Sequence, residues 1–249
     1  MRDFTLSMYK QLIRSLIKSN YAFQTMEDFF ESPEDKCIIF RHDVDRLPQN
    51  ALRMAKLENE IGVKATYYFR SVSCSYNENI IKNISGLRHE IGYHYENLSE
   101  CKGNFIKAIK DFEVNLEKFR ELYPVKSIVM HGSPLSKYDN RLLWEKYDYK
   151  DYGVLSEPYF DIDFNEFAYF TDTGRRWNSD KVSVRDKVNS KFNFNFKTTQ
   201  QIIDNIDQLP PKIMFTVHPQ RWHDNLIFWC KELVLQNVKN IFKKLLFVR

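Results

Sequence analysis

Short apolar runs alternate along the chain with stretches of helical periodicity. The runs are rich in β-branched and aromatic residues, which is typical of buried parallel strands. Between them, apolar positions recur about every 3.6 residues and predict amphipathic helices. Seven strands are predicted, at residues 37–42, 64–69, 90–94, 127–131, 153–155, 168–171 and 213–218. Helices are predicted at residues 5–17, 48–61, 104–122, 198–206 and 225–246.

This alternation indicates an α/β protein whose parallel strands are joined by right-handed crossovers. Seven strands favour a barrel or a strongly curled sheet over an open, doubly wound sheet. Neither the glycine motif of dinucleotide-binding folds nor the P-loop motif is present, so both classes of nucleotide site are excluded. No internal repeat and no linker rich in Pro, Gly or Ser divides the 249 residues, which predicts one domain.

Composition adds few constraints on function. A hydrophobic content of 43% and a charged content of 28% are ordinary for a globular protein. The net charge of +4 is compatible with a small anionic substrate. No basic run with interleaved aromatic residues occurs, so we expect no nucleic-acid partner.

The cysteines and the N-terminal sequence bear on the compartment. Cys37, Cys74, Cys101 and Cys230 are scattered without C-x-x-C spacing, and this pattern favours reduced thiols. The first residues lack the apolar core of a signal peptide, and no segment has the length of a transmembrane helix. A cytoplasmic location is therefore the expectation.

The first predicted strand carries the most informative residues of the chain. It runs directly into Arg41, His42, Asp43, Val44 and Asp45. Buried carboxylates and imidazoles are costly unless they are paired or bind a cation. Because active sites of parallel α/β proteins assemble at the carboxyl ends of their strands, we interpret this segment as the floor of an active site.

Histidines occur at the same position of several strands. Four of the six histidines, His42, His94, His131 and His218, each end a predicted strand. In a parallel sheet these four side chains would converge on one rim together with the two aspartates. Nitrogen and oxygen ligands of this kind suit one divalent transition metal, with Zn²⁺ as the first choice and Co²⁺, Ni²⁺, Mn²⁺ or Fe²⁺ as alternatives.

These motifs resemble those of the polysaccharide deacetylase superfamily, the NodB-like enzymes of carbohydrate esterase family 4. Asp43-x-Asp45 is similar to the first motif, the run at 88–94 to the second, and the strand at 213–218 to the last. The resemblance implies a distorted (β/α)7 barrel, here with an extra N-terminal helix. It implies a single domain over residues 1–249 with its core at about 36–220, and metal-dependent removal of an N-acetyl or O-acetyl group from a sugar.

The resemblance also assigns roles to residues. Asp43 corresponds to the general base and His218 to the general acid, while Asp45 and His94 correspond to metal ligands. Asp43 and Asp45 point the same way on an extended strand, which fits the two roles. The competing interpretation of the Asp43–Asp45 pair is an ion pair with Arg41 or Arg46.

Two departures from the family pattern concern the third metal ligand. Leu98 occupies the position of the family's second metal-binding histidine, and His131 stands where an arginine is usual. We predict that His131 moves in as the replacement ligand. Two alternatives stay open: Glu96 completes the shell, or His131 tunes Asp43 as the arginine would.

Further residues at the strand ends are predicted to bind substrate. Arg–Trp pairs in two loops favour a small anionic sugar, either a sugar nucleotide or a lipid-linked sugar. The predicted substrate-binding residues are His42, Glu96, Asp172, Arg175, Trp177, Arg221 and Trp222.

The sequence therefore predicts a metal-dependent de-N-acylase that acts on an amino-sugar precursor of a surface polysaccharide. A deformylase or an O-deacetylase using the same groups is one alternative. A catalytically silent sugar-binding barrel is another, because the family's second metal-binding histidine is missing.

Overall fold

The computed structural model describes residues 2–178, 185 and 187–246, and it confirms the α/β class. The strands are β1 Ala22–Gln24, β2 Cys37–Val44, β3 Thr66–Phe69, β4 Glu90–Tyr95, β5 Ile128–Met130, β6 Phe167–Thr171 and β7 Lys212–Val217. The helices are α1 Leu6–Lys18, α2 Met26–Glu31, α3 Pro48–Ile61, α4 Glu78–Gly86, α5 Asn97–Glu100, α6 Phe105–Arg120, α7 Pro158–Asp161, α8 Thr199–Asp204 and α9 Leu226–Leu246. Short 3-10 helices lie at Asn140–Glu145, Tyr149–Tyr152, Ile206–Gln208 and Pro219–Arg221.

All paired strands are parallel, and they form one sheet in the order β5-β4-β3-β2-β7-β6. The short strand β1 lies beside the first residues of β2. The sheet curls into a half-barrel with helices packed around it, so the predicted distorted barrel is confirmed. Among the described helices, none is long and apolar enough to cross a membrane.

One predicted strand is wrong. Residues 153–155 follow a 3-10 turn, Gly153 has a φ of 68°, and the only pairing in this stretch is an isolated bridge between Ser127 and Ser156. The seventh strand is instead β1, whose three residues are too few to show a period in the sequence. Helices α2 and α4 were likewise not predicted.

Side chains of β2 alternate between two environments. Ile38, Phe40 and Val44 belong to the large core between the sheet and the surrounding helices. Cys37 and Ile39 face the inside of the half-barrel, in a smaller apolar cluster. Because side chains on a strand repeat with a period of two, the inner row continues toward the carboxyl end with polar residues. The site described below lies at that end.

Gly92 illustrates how the inside of the half-barrel is packed. It lies on β4, and a Cβ atom there would overlap ring carbons of Tyr68 on β3. The absence of a side chain thus lets the tyrosine ring lie across the neighbouring strand. The glycine is required by this close approach and not by its backbone angles.

Candidate metal centre and active site

The inner rows of β2, β4, β5 and β7 lead to polar side chains at the same rim of the half-barrel. Glu90, Gly92 and His94 share one face of β4, and the other residues of that strand belong to the outer core. At this rim Asp45, which follows β2, lies 3.5–3.9 Å from the Nε2 atoms of three histidines: His94, His131 beyond β5 and His218 beyond β7.

Asp45, His94 and His131 form a compact cluster. His94 Nε2 lies 3.5 Å from Asp45 Oδ1, and His131 Nε2 lies 3.7 Å from the same oxygen. One ligand atom from each of the three residues falls within 4.8 Å of the others. The structure therefore brings together the three residues that the sequence predicts as metal ligands.

Hydrogen bonds on the far side of each imidazole fix its orientation. His94 Nδ1 lies 3.0 Å from the carbonyl oxygen of Val129, and His131 Nδ1 lies 2.7 Å from Glu96 Oε2. Both partners are acceptors, so in the neutral imidazoles Nδ1 carries the proton and Nε2 presents its lone pair to Asp45. This is the arrangement by which a ligating histidine is oriented in metal sites.

The donor set fits a divalent transition metal. Asp45 Oδ1 is buried and has no hydrogen-bond partner, since the histidine nitrogens lie beyond good hydrogen-bond distance. Burial raises the pKa of Asp45, but His94, His218 and His131 outweigh burial and lower that pKa well below its usual value. An ionised, unpartnered carboxylate oxygen facing two imidazole lone pairs matches the ligand chemistry of zinc.

Glu96 holds His131 in the cluster through a hydrogen bond to its Nδ1. Its carboxylate pairs with Arg70, from whose Nε it accepts a hydrogen bond of 2.7 Å, and it also accepts from His131. Burial raises the pKa of Glu96, while His131 and Arg70 lower it, and the net direction is downward. Both carboxylate oxygens are engaged and the residue is only 4% exposed, so the structure places Glu96 as a partner of His131 and not as a substrate-binding group.

Asp43 is held by Arg41 from the same strand. Arg41 Nε donates to Oδ1 over 2.8 Å, and Nη2 donates to Oδ2 over 2.7 Å. The two residues are two positions apart, so both lie on the inner face. Asp43 Oδ2 also lies 3.6 Å from His94 Nε2. The ion pair considered from the sequence thus exists, and it orients Asp43 toward the cluster. Arg41 therefore performs the role that one alternative gave to His131, namely positioning Asp43.

His218 is oriented by Asp172, which is fully buried. His218 Nδ1 lies 2.6 Å from Asp172 Oδ1, while His218 Nε2 lies 3.9 Å from Asp45 Oδ2. An ionised carboxylate can only accept, so the shared proton lies on Nδ1. Burial raises the pKa of Asp172, but Arg221 and His218 outweigh burial and lower it.

Asp172 also binds the segment that follows His218. Arg221 Nη1 donates to Oδ1 over 2.5 Å, and Trp222 Nε1 donates to Oδ2 over 2.8 Å. The predictions that Asp172, Arg221 and Trp222 contact substrate are therefore corrected. These side chains satisfy one another beneath the rim and fix the position of His218.

His42 lies outside the site. His42 and Asp43 are adjacent on β2, so their side chains point to opposite faces of the sheet. The ring of His42 therefore lies in the outer core and is fully buried. There His42 Nε2 lies 2.7 Å from Glu58 Oε1, and Glu58 also accepts from the hydroxyls of Tyr9 and Tyr67. The predicted role of His42 in substrate binding is therefore wrong, because the pleat turns it to the other face of the sheet.

Trp177 and Arg175 are also directed into the protein. Trp177 is 3% exposed and its Nε1 donates to Thr199 Oγ1 over 2.9 Å. Arg175 Nη1 donates to the carbonyl oxygen of Trp229 over 3.1 Å, and its guanidinium packs over the rings of Phe4 and Trp229. Neither side chain presents its predicted face to a sugar, because helix α9 and the N-terminal segment cover the loop.

Gln220 and Glu157 were not among the predicted site residues. Gln220 Nε2 donates to Asp45 Oδ2 over 2.8 Å and leaves Oδ1 free. Glu157 is fully buried beside β5 and accepts from the backbone nitrogen of Met130, and burial raises the pKa of Glu157 to about 7. Nothing in the local sequence around Gln220 signals its role. The ion pair of Arg41 and Asp43 could be found from the sequence, because the two residues are two positions apart on one strand.

The chain was also compared with known families, curated proteins and solved structures. No family model and no curated protein matches the chain. Solved structures that are similar include a family 4 carbohydrate esterase from Bacillus anthracis, with 13% identity, 93% of this chain and 86% of that chain covered, and a TM-score of 0.45. A CE4 esterase from Streptococcus mutans has 14% identity, 92% and 91% coverage, and a TM-score of 0.46.

A CE4 family pseudoenzyme from Bacillus anthracis is also similar. Its identity is 11%, the shared region covers 85% of this chain and 62% of that chain, and the TM-score is 0.46. These neighbours thus include both esterases and a pseudoenzyme of the family whose motifs the sequence resembles. At these identities, the similarity to the solved structures concerns the fold alone.

Proposed function

We propose that this protein is a metal-dependent hydrolase that removes an acyl group, N-acetyl as the first choice, from an amino sugar. The observation that carries the proposal is the convergence at one rim of a three-residue donor cluster, an arginine-held carboxylate and a histidine backed by a buried aspartate. Each group corresponds to one requirement of amide hydrolysis.

Asp45, His94 and His131 would hold the metal. A divalent cation in such a site supplies Lewis-acid polarisation of the carbonyl and acidifies water. The protein contributes the orientation of these ligands through Val129 and Glu96, which keep both Nε2 atoms directed at Asp45.

Asp43 is the proposed general base. Arg41 holds the carboxylate on the inner face, 3.6 Å from His94 Nε2, and each oxygen keeps a lone pair beyond the arginine bond. Asp43 accepts the proton of the water molecule that attacks the carbonyl carbon. A positioned base of this kind contributes about 10²- to 10⁴-fold in rate.

His218 is the proposed general acid. Asp172 binds the Nδ1 proton and orients the ring, so Nε2 is the nitrogen that faces the rim. When the C–N bond breaks, His218 Nε2 delivers its proton to the leaving amine. The negative charge of Asp172 is itself neutralised by Arg221, which keeps the pair stable when it is buried.

The proposed substrate class depends on positive charge. Arg175 and Arg221, on which the anionic preference rested, are engaged inside the protein. Arg70 and Arg185 remain close to His131, since Arg70 pairs with Glu96 and Arg185 Nη1 donates to the carbonyl oxygen of Gly132 over 2.7 Å. The net charge of +4 supports a sugar nucleotide or a lipid-linked sugar as the proposed substrate, and the cytoplasm is the proposed location.

Metal content is the first test. The purified protein, loaded with Zn²⁺ and passed over a desalting column, should retain one equivalent by elemental analysis. Asp45→Ala and His94→Ala should each abolish retention, whereas Asp204→Ala, which removes an exposed carboxylate of α8, should not change it. Full retention in both site variants would disprove the assignment of the ligands.

Turnover is the second test. Asp43→Asn preserves the shape of the side chain and removes the proton acceptor, so the variant should keep the metal and lose about 10²- to 10⁴-fold in acetate release from an N-acetylated sugar nucleotide or lipid-linked sugar. Activity within tenfold of wild type would move the base to another residue. If the metal-loaded wild type releases no acetate from any such amino sugar, the proposed activity is wrong, and the sugar-binding barrel is the alternative that remains.

A further inference from the structure

Helix α9 is oriented with its apolar side toward the solvent. Its contacts with the body of the protein lie on a stripe with the spacing i, i+3, i+4, i+7 and i+11, and most residues of that stripe are polar. The residues of this stripe are Trp229, Glu232, Leu233, Gln236 and Asn240. On a helix of 3.6 residues per turn they cover one side, and among the described residues the opposite side is mostly exposed to solvent.

The free side is strongly apolar. Its large hydrophobic residues are 40–75% exposed, a level that isolated surface residues reach but a contiguous face of a stable helix seldom does. We call this surface the outer face of α9. Its members are Ile227, Phe228, Val234, Leu235, Val238, Ile241 and Phe242.

The charges of α9 have one sign where they are exposed. Lys231 and Lys239 are exposed. The single acidic residue of the helix, Glu232, is buried in the polar stripe and accepts a 2.7 Å hydrogen bond from Arg46. The outer face of α9 thus combines apolar side chains with lysines and carries no exposed carboxylate.

We propose that the outer face of α9 binds the surface of a membrane containing anionic lipids. Apolar side chains flanked by lysines are the pattern of helices that lie in the plane of the lipid headgroups. The lysines complement the negative potential of such a surface. A second copy of the chain fits this face less well, because the same lysines would meet without a carboxylate to pair with.

The attachment of α9 connects this surface to the site. Glu232 is bound by Arg46, which follows Asp45 directly, and Asn240 Nδ2 donates to the carbonyl oxygen of Gly174 over 2.9 Å. Gly174 lies in the loop that begins with Asp172. The loops that carry two site residues are therefore fastened to the lipid-facing helix, and a membrane-anchored substrate would meet the rim there.

The test is flotation with large unilamellar vesicles of phosphatidylcholine, with and without about 30 mol% phosphatidylglycerol. The triple variant Val234→Gln, Val238→Gln and Ile241→Gln removes apolar surface without weakening the helix, because glutamine is the better helix former. We expect wild type to float with the anionic vesicles and the triple variant to lose at least roughly 100-fold in partitioning.

Two further variants make the result specific. Ile106→Gln combined with Val114→Gln removes exposed apolar residues from α6, which are 66% and 69% exposed, and should leave flotation unchanged. Lys231→Gln combined with Lys239→Gln should reduce the preference for anionic over neutral vesicles by roughly 30-fold. Circular dichroism before flotation checks that every variant is folded.

The proposal is overturned if wild type does not float with anionic vesicles, or if the triple variant floats equally well. It is also overturned if sedimentation velocity shows a dimer of the wild type that the triple variant dissociates, since the face would then belong to a second copy. None of these measurements requires turnover, so the result for α9 is independent of the proposed hydrolase activity.

Discussion

Replacing Asp172 by asparagine should destabilise the protein strongly and disable His218. The carboxylate accepts four hydrogen bonds, from the backbone nitrogen and Nδ1 of His218, from Arg221 and from Trp222. An asparagine amide has one oxygen, so in either orientation its NH2 group faces two of these donors. The substitution also leaves the guanidinium of Arg221, which is 7% exposed, without its counter-charge.

The expected loss follows from these contacts. Removing one partner of a buried ion pair typically costs about 3–5 kcal/mol, because the remaining charge stays desolvated. We therefore expect Asp172→Asn to lower the free energy of unfolding by about 3–5 kcal/mol at pH 7. Urea unfolding followed by circular dichroism measures the change, with Asp204→Asn on the exposed side of α8 as the matched control, expected within about 0.5 kcal/mol of wild type.

The stability difference between wild type and Asp172→Asn should change with pH in a defined direction. The folded-state pKa of Asp172 is lowered because Arg221 and His218 outweigh burial. Its stabilising contribution is therefore fully present above the unfolded pKa of about 3.9 and is lost as the pH falls further. The difference between wild type and Asp172→Asn should shrink below about pH 4. A loss under about 1 kcal/mol at pH 7 would show that the buried network does not carry the stability assigned to it.

Two other predictions concern groups beside the site. In wild type the pKa of Glu157 is raised by burial to about 7, so stability should fall by up to about 3 kcal/mol as pH rises from 4.5 to 7, and Glu157→Gln should abolish that fall in urea unfolding. An unchanged pH profile in the variant would contradict the assignment. Gly92→Ala should cost about 1–3 kcal/mol in thermal unfolding, because the new Cβ overlaps the ring of Tyr68. Gly86→Ala on α4 has open space around it and should cost nothing, and equal effects of the two substitutions would refute the packing argument.

The sequence by itself determined the class of the fold and the strand ends at which the site lies. Apolar runs that end in Asp or His are local patterns, and a parallel sheet brings the carboxyl ends of such strands to one rim. The period of two along a strand also separates His42 from Asp43, since adjacent residues of a strand face opposite sides. Parity alone would therefore have excluded His42 from the rim.

Only the tertiary structure decided which polar side chains remain available. Asp172 and Trp222 are 50 positions apart, and Arg175 and Trp229 are 54 apart, yet each pair is in hydrogen-bond contact. Sequence patterns report the face of an element but not the element that covers that face. Residues expected to hold a sugar are thus buried against one another.

Helix α9 shows the converse case. Its apolar positions have the spacing of a core-facing helix, and the sequence gives no sign that they point outward. The polar stripe of Glu232, Gln236 and Asn240 is oriented inward because Arg46 and the carbonyl of Gly174 offer it partners. The direction of an amphipathic helix is determined by the partners on both of its sides, and those partners come from segments that are distant in the sequence.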